Sequence, residues 1–136
     1  MLKKQVACGP KCRIVIVDSI TQLDGGDAGA LVVSGSHGGA SAAEFALAVG
    51  PAAAFFNDAG VGKDEAGVVA LHLLQDCGVA AGTVSHTSAR IGDAQDSWDN
   101  GIVSRVNDAA TALGIATGER LQDALCRLAQ EGPAER

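Results

Sequence analysis

The chain has 136 residues, 47% of them apolar, which suits one hydrophobic core and leaves too little for two full domains. Ten basic side chains against 16 acidic ones give a net charge of −6, and only 3% of residues are aromatic. That balance excludes nucleic acid as a default partner, whether duplex or stacked single strand, and anionic lipid with it.

Residues 1–12 read as an N-terminal arm. Met1-Leu2-Lys3-Lys4 is basic like the start of a signal peptide, but Val6-Ala7-Cys8-Gly9-Pro10-Lys11 breaks any apolar run. No stretch approaches the roughly 20 apolar residues of a membrane span, so the chain reads as cytoplasmic with no membrane partner. Cys8, Cys12, Cys77 and Cys126 are then expected to be thiols, with Cys77 and Cys126 as small core residues of helices. Cys8 and Cys12 have ligand-like proximity, but no second pair matches them for zinc.

The run 13–17 is short and β-branched, the style of a strand buried on both faces. Asp18 or Ser19 caps a short helical piece to Leu23, stopped by Gly25-Gly26. A second strand, 30–34, enters the turn Gly35-Ser36-His37-Gly38-Gly39; a hairpin between these two strands is the competing reading. A helix over 41–49 ends at Gly50-Pro51, and a third strand, 52–56, ends in Asn57-Asp58-Ala59-Gly60. The next helix, 64–77, buries Val68, Leu71 and Leu74 and stops at Gly78. A fourth strand, 79–84, opens into Ser85-His86-Thr87-Ser88-Ala89-Arg90. A long polar loop then runs to Asn100, with Trp98 either its anchor or part of a lid. Helices over 101–113 and 117–130 follow, and 132–136 read as a flexible tail. Strand and helix alternation predicts one α/β domain over 1–136: a small three-layer Rossmann-like or flavodoxin-like sandwich. Its sheet is mostly parallel with about four strands, and two C-terminal helices close one side.

Each expected strand is apolar and opens at its C-terminal end into polar groups, and in open α/β sheets ligands bind beyond those ends. His37 is the candidate acid/base, oriented by Asp58 or Asp18, with Ser36, Ser85 or Ser88 as nucleophile or oxyanion donor and His86 beside them. Gly38 and Gly39, with Asn57, Asp18 and Arg90, are the candidate substrate contacts. Glycines let backbone N–H groups approach an anion, and a guanidinium clamps a carboxylate. Asp93 is placed to pair with Arg90, His72 reads as structural, and Lys63 as solvated.

Ser36-His37-Gly38 resembles the His-Gly dipeptide that caspase-like cysteine peptidases place after one strand. Those enzymes carry a cysteine after the next strand, where this chain has Asn57-Asp58. The resemblance therefore supplies a strand-end histidine and no thiol nucleophile.

Three readings follow. The first is an enzyme doing hydrolysis or acid/base chemistry on a small anionic substrate. The second is a metal-dependent hydrolase with Asp18, His37, Asp58 and His86 around zinc or manganese. The third is a non-catalytic small-anion-binding domain or enzyme subunit. Low aromatic content also makes a homo-oligomer the expectation, with the last two helices as contact faces.

Overall fold

The computed structural model describes residues 1–61 and 68–132. Gly62, Lys63 and the start of the helix expected at 64–77 lie outside it, as do residues 133–136. The four apolar runs form parallel strands lying side by side in chain order: β2 (Ile14–Val17), β3 (Leu31–His37), β4 (Ala53–Asn57) and β5 (Ala80–Val84). Two antiparallel strands extend the sheet, β1 (Lys3–Val6) beside β2 and β6 (Val103–Val106) beside β5. The sheet is thus six-stranded and mixed, not a four-stranded parallel one. β1 escapes the apolar pattern because it is an edge strand with Lys3, Lys4 and Gln5 exposed; such charges discourage edge-to-edge pairing with another chain.

Alternation along the central strands sorts the core into two. Ile14, Ile16, Leu31, Val33 and Phe55 face one side; Val15, Val17, Val32, Ala54 and Phe56 face the other. The second side is covered by α1 (Ala40–Val49), α2 (Val69–Asp76) and the 3-10 turn Ile20–Gln22. Every parallel step crosses the sheet in the same direction, so right-handed crossovers lay all these connections on one face. A doubly wound Rossmann or flavodoxin order would reverse direction midway; this sheet does not. Its first face is covered instead by later elements, α3 (Ala94–Asn100), α4 (Asp108–Ala112) and α5 (Leu121–Glu131).

The C-terminal third departs most from expectation. The polar stretch before Asn100 is α3, started by Asp93, whose side chain accepts the Asp96 N–H at 2.9 Å. Trp98 pins it to the core at 6% exposure, an anchor rather than a lid. The expected helix at 101–113 divides into β6 and α4, because Asn107 stops the strand and caps α4 by accepting the Ala110 N–H. α5 turns Leu121, Ala124, Leu125 and Leu128 into the chain's own core, so this apolar stripe is used internally.

Ser19 caps the first 3-10 turn as expected, and the glycines after it form a second turn, Gly25–Asp27. The arm after β1 does not hang free. Its Lys11 N–H donates to the Ala129 carbonyl at 2.7 Å, Gln130 Nε2 donates to the Cys8 carbonyl at 3.0 Å, and Cys8 is disulfide-bonded to Cys126. The expectation of four thiols fails here: Cys12 and Cys77 are the free ones, and Cys77 is exposed at the end of α2. Among the described residues, no helix is long and apolar enough to cross a membrane.

Candidate functional site at the C-terminal rim

Parallel strands bring their C-terminal ends to one edge, and His37, Asn57, Asp58, Ser85 and His86 gather there as expected. What each does there is set by its hydrogen bonds, and several candidates are spent on holding the rim together.

Asp18 is one. Its Oδ2 accepts the Leu2 N–H at 2.6 Å and its Oδ1 the Ala94 N–H at 2.9 Å, joining the chain start to the beginning of α3. Those two bonds hold its carboxyl below the usual range. Ser36 Oγ accepts the Ile20 N–H at 3.0 Å and so fastens the first 3-10 turn to β3. Asn57 is fully buried, with Nδ2 donating to the Ala89 carbonyl at 2.9 Å and Oδ1 accepting the Ala59 N–H at 2.8 Å. Ser85 and Ser88 interlock: the two hydroxyls lie 2.7 Å apart, and Ser88 Oγ also bonds the Ser85 carbonyl and the Ile102 N–H. No hydroxyl of this pair is hydrogen-bonded to a histidine.

The glycine-rich segment is not an open anion cradle. β3 continues through His37, and Gly35 is buried in it because the chain at 92–93 crosses directly over it. A Cβ there would stand 2.7 Å from the Asp18 carbonyl oxygen and the Asp93 nitrogen. The Gly38 N–H is taken by the Asn57 carbonyl and the Gly39 N–H by the His37 carbonyl. His37 is exposed, its ring lies over Gly39, and no described side chain hydrogen-bonds it. The orienting carboxylate expected for His37 serves the other histidine.

Asp58 is buried at 6% exposure and accepts from three groups at one oxygen: the Gly60 N–H at 2.8 Å, the His86 N–H at 3.0 Å and His86 Nδ1 at 3.3 Å. Burial pushes its carboxyl up. The hydrogen bonds from Gly60, the nearby Ser104 hydroxyl and His86 outweigh that and leave it below the ordinary range. An ionised carboxylate only accepts, so His86 Nδ1 is the donor in this contact and Nε2 is left on the other side of the ring. The His86 side chain is 55% exposed, so the ring is within reach of a small molecule. Ser104, which also hydrogen-bonds Thr83 Oγ1 at 2.8 Å, was missed from sequence because it sat in an expected helix.

The turn that carries Asp58 is strained. Ala59, Gly60 and Val61 have φ of 52°, 74° and 67°, and for β-branched Val61 this region is costly. The strain is held by Ala59 N–H on Asn57 Oδ1, Gly60 N–H on Asp58 Oδ1 and Val61 N–H on the Asp58 carbonyl. Outliers of this kind persist where the surroundings over-determine them, often at functional positions.

Arg90 does not pair with Asp93. Arg90 is exposed and lines a surface hollow with Asp93, Asp96 and Asp99, a surrounding that repels an anion. Among the described residues no three His, Cys, Asp or Glu side chains could together hold a metal ion, so Asp18, His37, Asp58 and His86 do not form a ligand set. His72 lines a separate hollow of about 330 Å³ between α2 and β6.

Fold and site together define a three-layer α/β sandwich whose sheet rim carries a buried aspartate under an exposed histidine. No family model matches the chain, nor does any curated protein or solved structure.

The depressed carboxyls carry a pH consequence. Asp18 and Asp58 sit below their unfolded values, so their stabilisation is complete above the ordinary carboxylate range. It is lost as the pH falls through the still lower folded values. The urea midpoint is expected to be flat near neutrality and to fall on acidification below about pH 4. Asp18→Asn should flatten that acid limb, and an unchanged limb would show that Asp18 is not so held.

Proposed function

We propose that the protein is an acid/base catalyst acting on a small molecule at the C-terminal rim, with His86 moving the proton and Asp58 positioning it. The observation that carries this reading is the 3.3 Å contact between buried Asp58 Oδ1 and Nδ1 of an exposed ring. Asp58 accepts from Nδ1 and so fixes the tautomer and the ring's orientation, leaving Nε2 to face the substrate. The reaction class is proton transfer, including activation of a water for hydrolysis. A covalent serine route has no support, since Ser85 and Ser88 are bonded to each other. His37 stands on the same rim, two strand spacings from β5, about 10 Å between backbones. Its ring is a second polar contact for a substrate that spans the rim.

Two measurements test this. Ring 15N shifts of His86 should report a proton on Nδ1 in the native protein and lose that preference in Asp58→Asn. On a panel of activated esters and phosphoesters, His86→Gln should lower kcat about 100-fold or more, the usual range for a general acid/base. Native protein and a folded His86→Gln variant behaving alike across the panel, with a mixed tautomer in the native ring, would overturn the reading.

A further inference from the structure

Among the described residues, four large apolar side chains are exposed: Met1, Phe45, Leu73 and Ile91. Three of them, Met1, Phe45 and Ile91, come from distant parts of the chain and line one cleft. That cleft, about 610 Å³, lies over the C-terminal ends of β2 and β3, with buried Ile20 in its wall and His37 and Ser41 at its edge. Its size falls within the few hundred to about 1,000 Å³ typical of small-molecule sites.

The walls are tied to the floor. The start of the chain is held by Leu2 N–H on Asp18 Oδ2, and the 3-10 turn by Ile20 N–H on Ser36 Oγ. The far wall is held by Gly92 N–H on the Gly35 carbonyl at 2.7 Å and by Ala94 N–H on Asp18 Oδ1. Gly35 itself, with no Cβ, lets that wall close down. These bonds explain why Asp18, Ser36 and Gly35 sit where a ligand was expected: they build the cleft. A concave surface fixed before binding costs little ordering entropy when a ligand enters.

Its chemistry selects the ligand. No lysine or arginine lines the cleft, and its one carboxylate, Asp18, has both oxygens engaged. Nucleotides, polyphosphates and other multiply charged anions would meet a single positive group there, the Met1 α-ammonium, whose field already falls on Asp18. Three apolar side chains that remain exposed beside a histidine and a serine hydroxyl suit an apolar body with one hydrogen-bonding end. We propose that this cleft binds a small amphipathic molecule, its aryl or alkyl body against Phe45, Ile91 and Ile20 and its single polar end at His37 and Ser41. His86 does not line the cleft, so binding here does not depend on catalysis there; His37 is the one residue common to the two readings.

The test is an amide-shift titration of the full chain with octanoate, phenylacetate and indole, and with inorganic phosphate as the charged control. At least one apolar probe should bind saturably with a Kd below about a millimolar. It should move the amides of Gly35, His37, Phe45, Ile91 and Gly92, whereas phosphate should not. Phe45→Ser and Ile91→Ser, both exposed positions, should each weaken binding tenfold or more. His86→Gln should leave the affinity unchanged, so a failure here and a failure of the catalytic reading are told apart. The proposal is overturned by no saturable shift, by binding that both serine variants retain, or by concentration-dependent shifts of the same amides without any probe. The last result would assign the patch to a second copy of the chain.

Discussion

Replacing Asn107 by leucine is expected to lower the unfolding free energy by about 4 kcal/mol or more. The Asn107 side chain is 8% exposed and makes four hydrogen bonds from one position. Its Oδ1 accepts the Ala81 N–H at 3.0 Å and the Ala110 N–H at 2.9 Å; its Nδ2 donates to the Leu71 carbonyl at 3.2 Å and the Val79 carbonyl at 2.9 Å. One amide thus ties α2, β5 and the start of α4. Leucine has the same branching but is bulkier and satisfies none of the four groups, and each buried polar group left unpaired costs about 1–3 kcal/mol. Against a total stability of about 5–15 kcal/mol, this is about a quarter of the margin or more. Asn107→Asp is the informative companion. It keeps the acceptor for both N–H groups but points a second oxygen at two carbonyls, so it too should be destabilising at neutral pH. It should recover part of the loss on acidification, when the carboxyl gains a proton it can donate. Urea unfolding at unchanged slope is the measurement, and a leucine variant within about 1 kcal/mol of native would refute the assignment.

The same residue shows where the sequence was legible. Short β-branched runs bounded by Gly, Asp and Ser reveal themselves by length and composition, so the four central strands and their order along the chain could be read. The direction of the sheet could not. Both a doubly wound order and this one-way order satisfy the same alternation of strand and helix; only the burial of α3 and α5 on the first face, opposite α1 and α2, tells them apart. β6 was hidden because Ile102, Val106 and Ala109 fall at helical spacing while the backbone turns at Asn107. An asparagine followed by Asp108-Ala109-Ala110 is a cap signal that favours a helix beginning there. β1 carries no apolar alternation at all, being an edge of polar residues whose Lys3 reaches across to Asp24 and Asp27.

At the rim the residue types were legible and the partnerships were not. Asp58 and His86 are separated by 28 positions, and nothing in their local contexts says that this aspartate turns toward β5 and not toward His37 on β3. The choice follows from the turn after β4: with Ala59, Gly60 and Val61 in the left-handed region, the Asp58 side chain folds back under its own amides and meets the His86 N–H. Asp18, Ser36 and Asn57 looked like ligands for the same reason that they make good fasteners. Short polar side chains at strand ends reach backbone groups of neighbouring segments, and the tertiary fold decides which backbone groups are waiting there.

The second large effect is expected at the opposite end of the sheet. Cys8 and Cys126 are 118 residues apart, and a cross-link closing a loop of that length removes about 4–5 kcal/mol of chain entropy from the unfolded state in the loop-closure account. Reduction, or Cys8→Ser with Cys126→Ser, should therefore lower the thermal midpoint by well over the few degrees that one ordinary contact is worth. Part of the clamp survives without the bond. Lys11 and Gln130 still hydrogen-bond across it, and Gly9 lies so close to the Ala129 backbone that any Cβ would push the arm away. Gly9→Ala in the reduced protein should consequently add to the loss. Alkylation of denatured, unreduced protein should mark two thiols, Cys12 and Cys77, and four after reduction; four without reduction would show that the bond is not formed. The clamp follows β1 at the end where Val6 pairs with Ile14, the first residue of β2, whereas the rim lies at the strand's other end. Opening it at a temperature where the reduced chain remains folded should then leave the His86 tautomer and the binding of apolar probes unaltered. The loss of stability would come from the unfolded chain's new freedom, with no change in the geometry of the site.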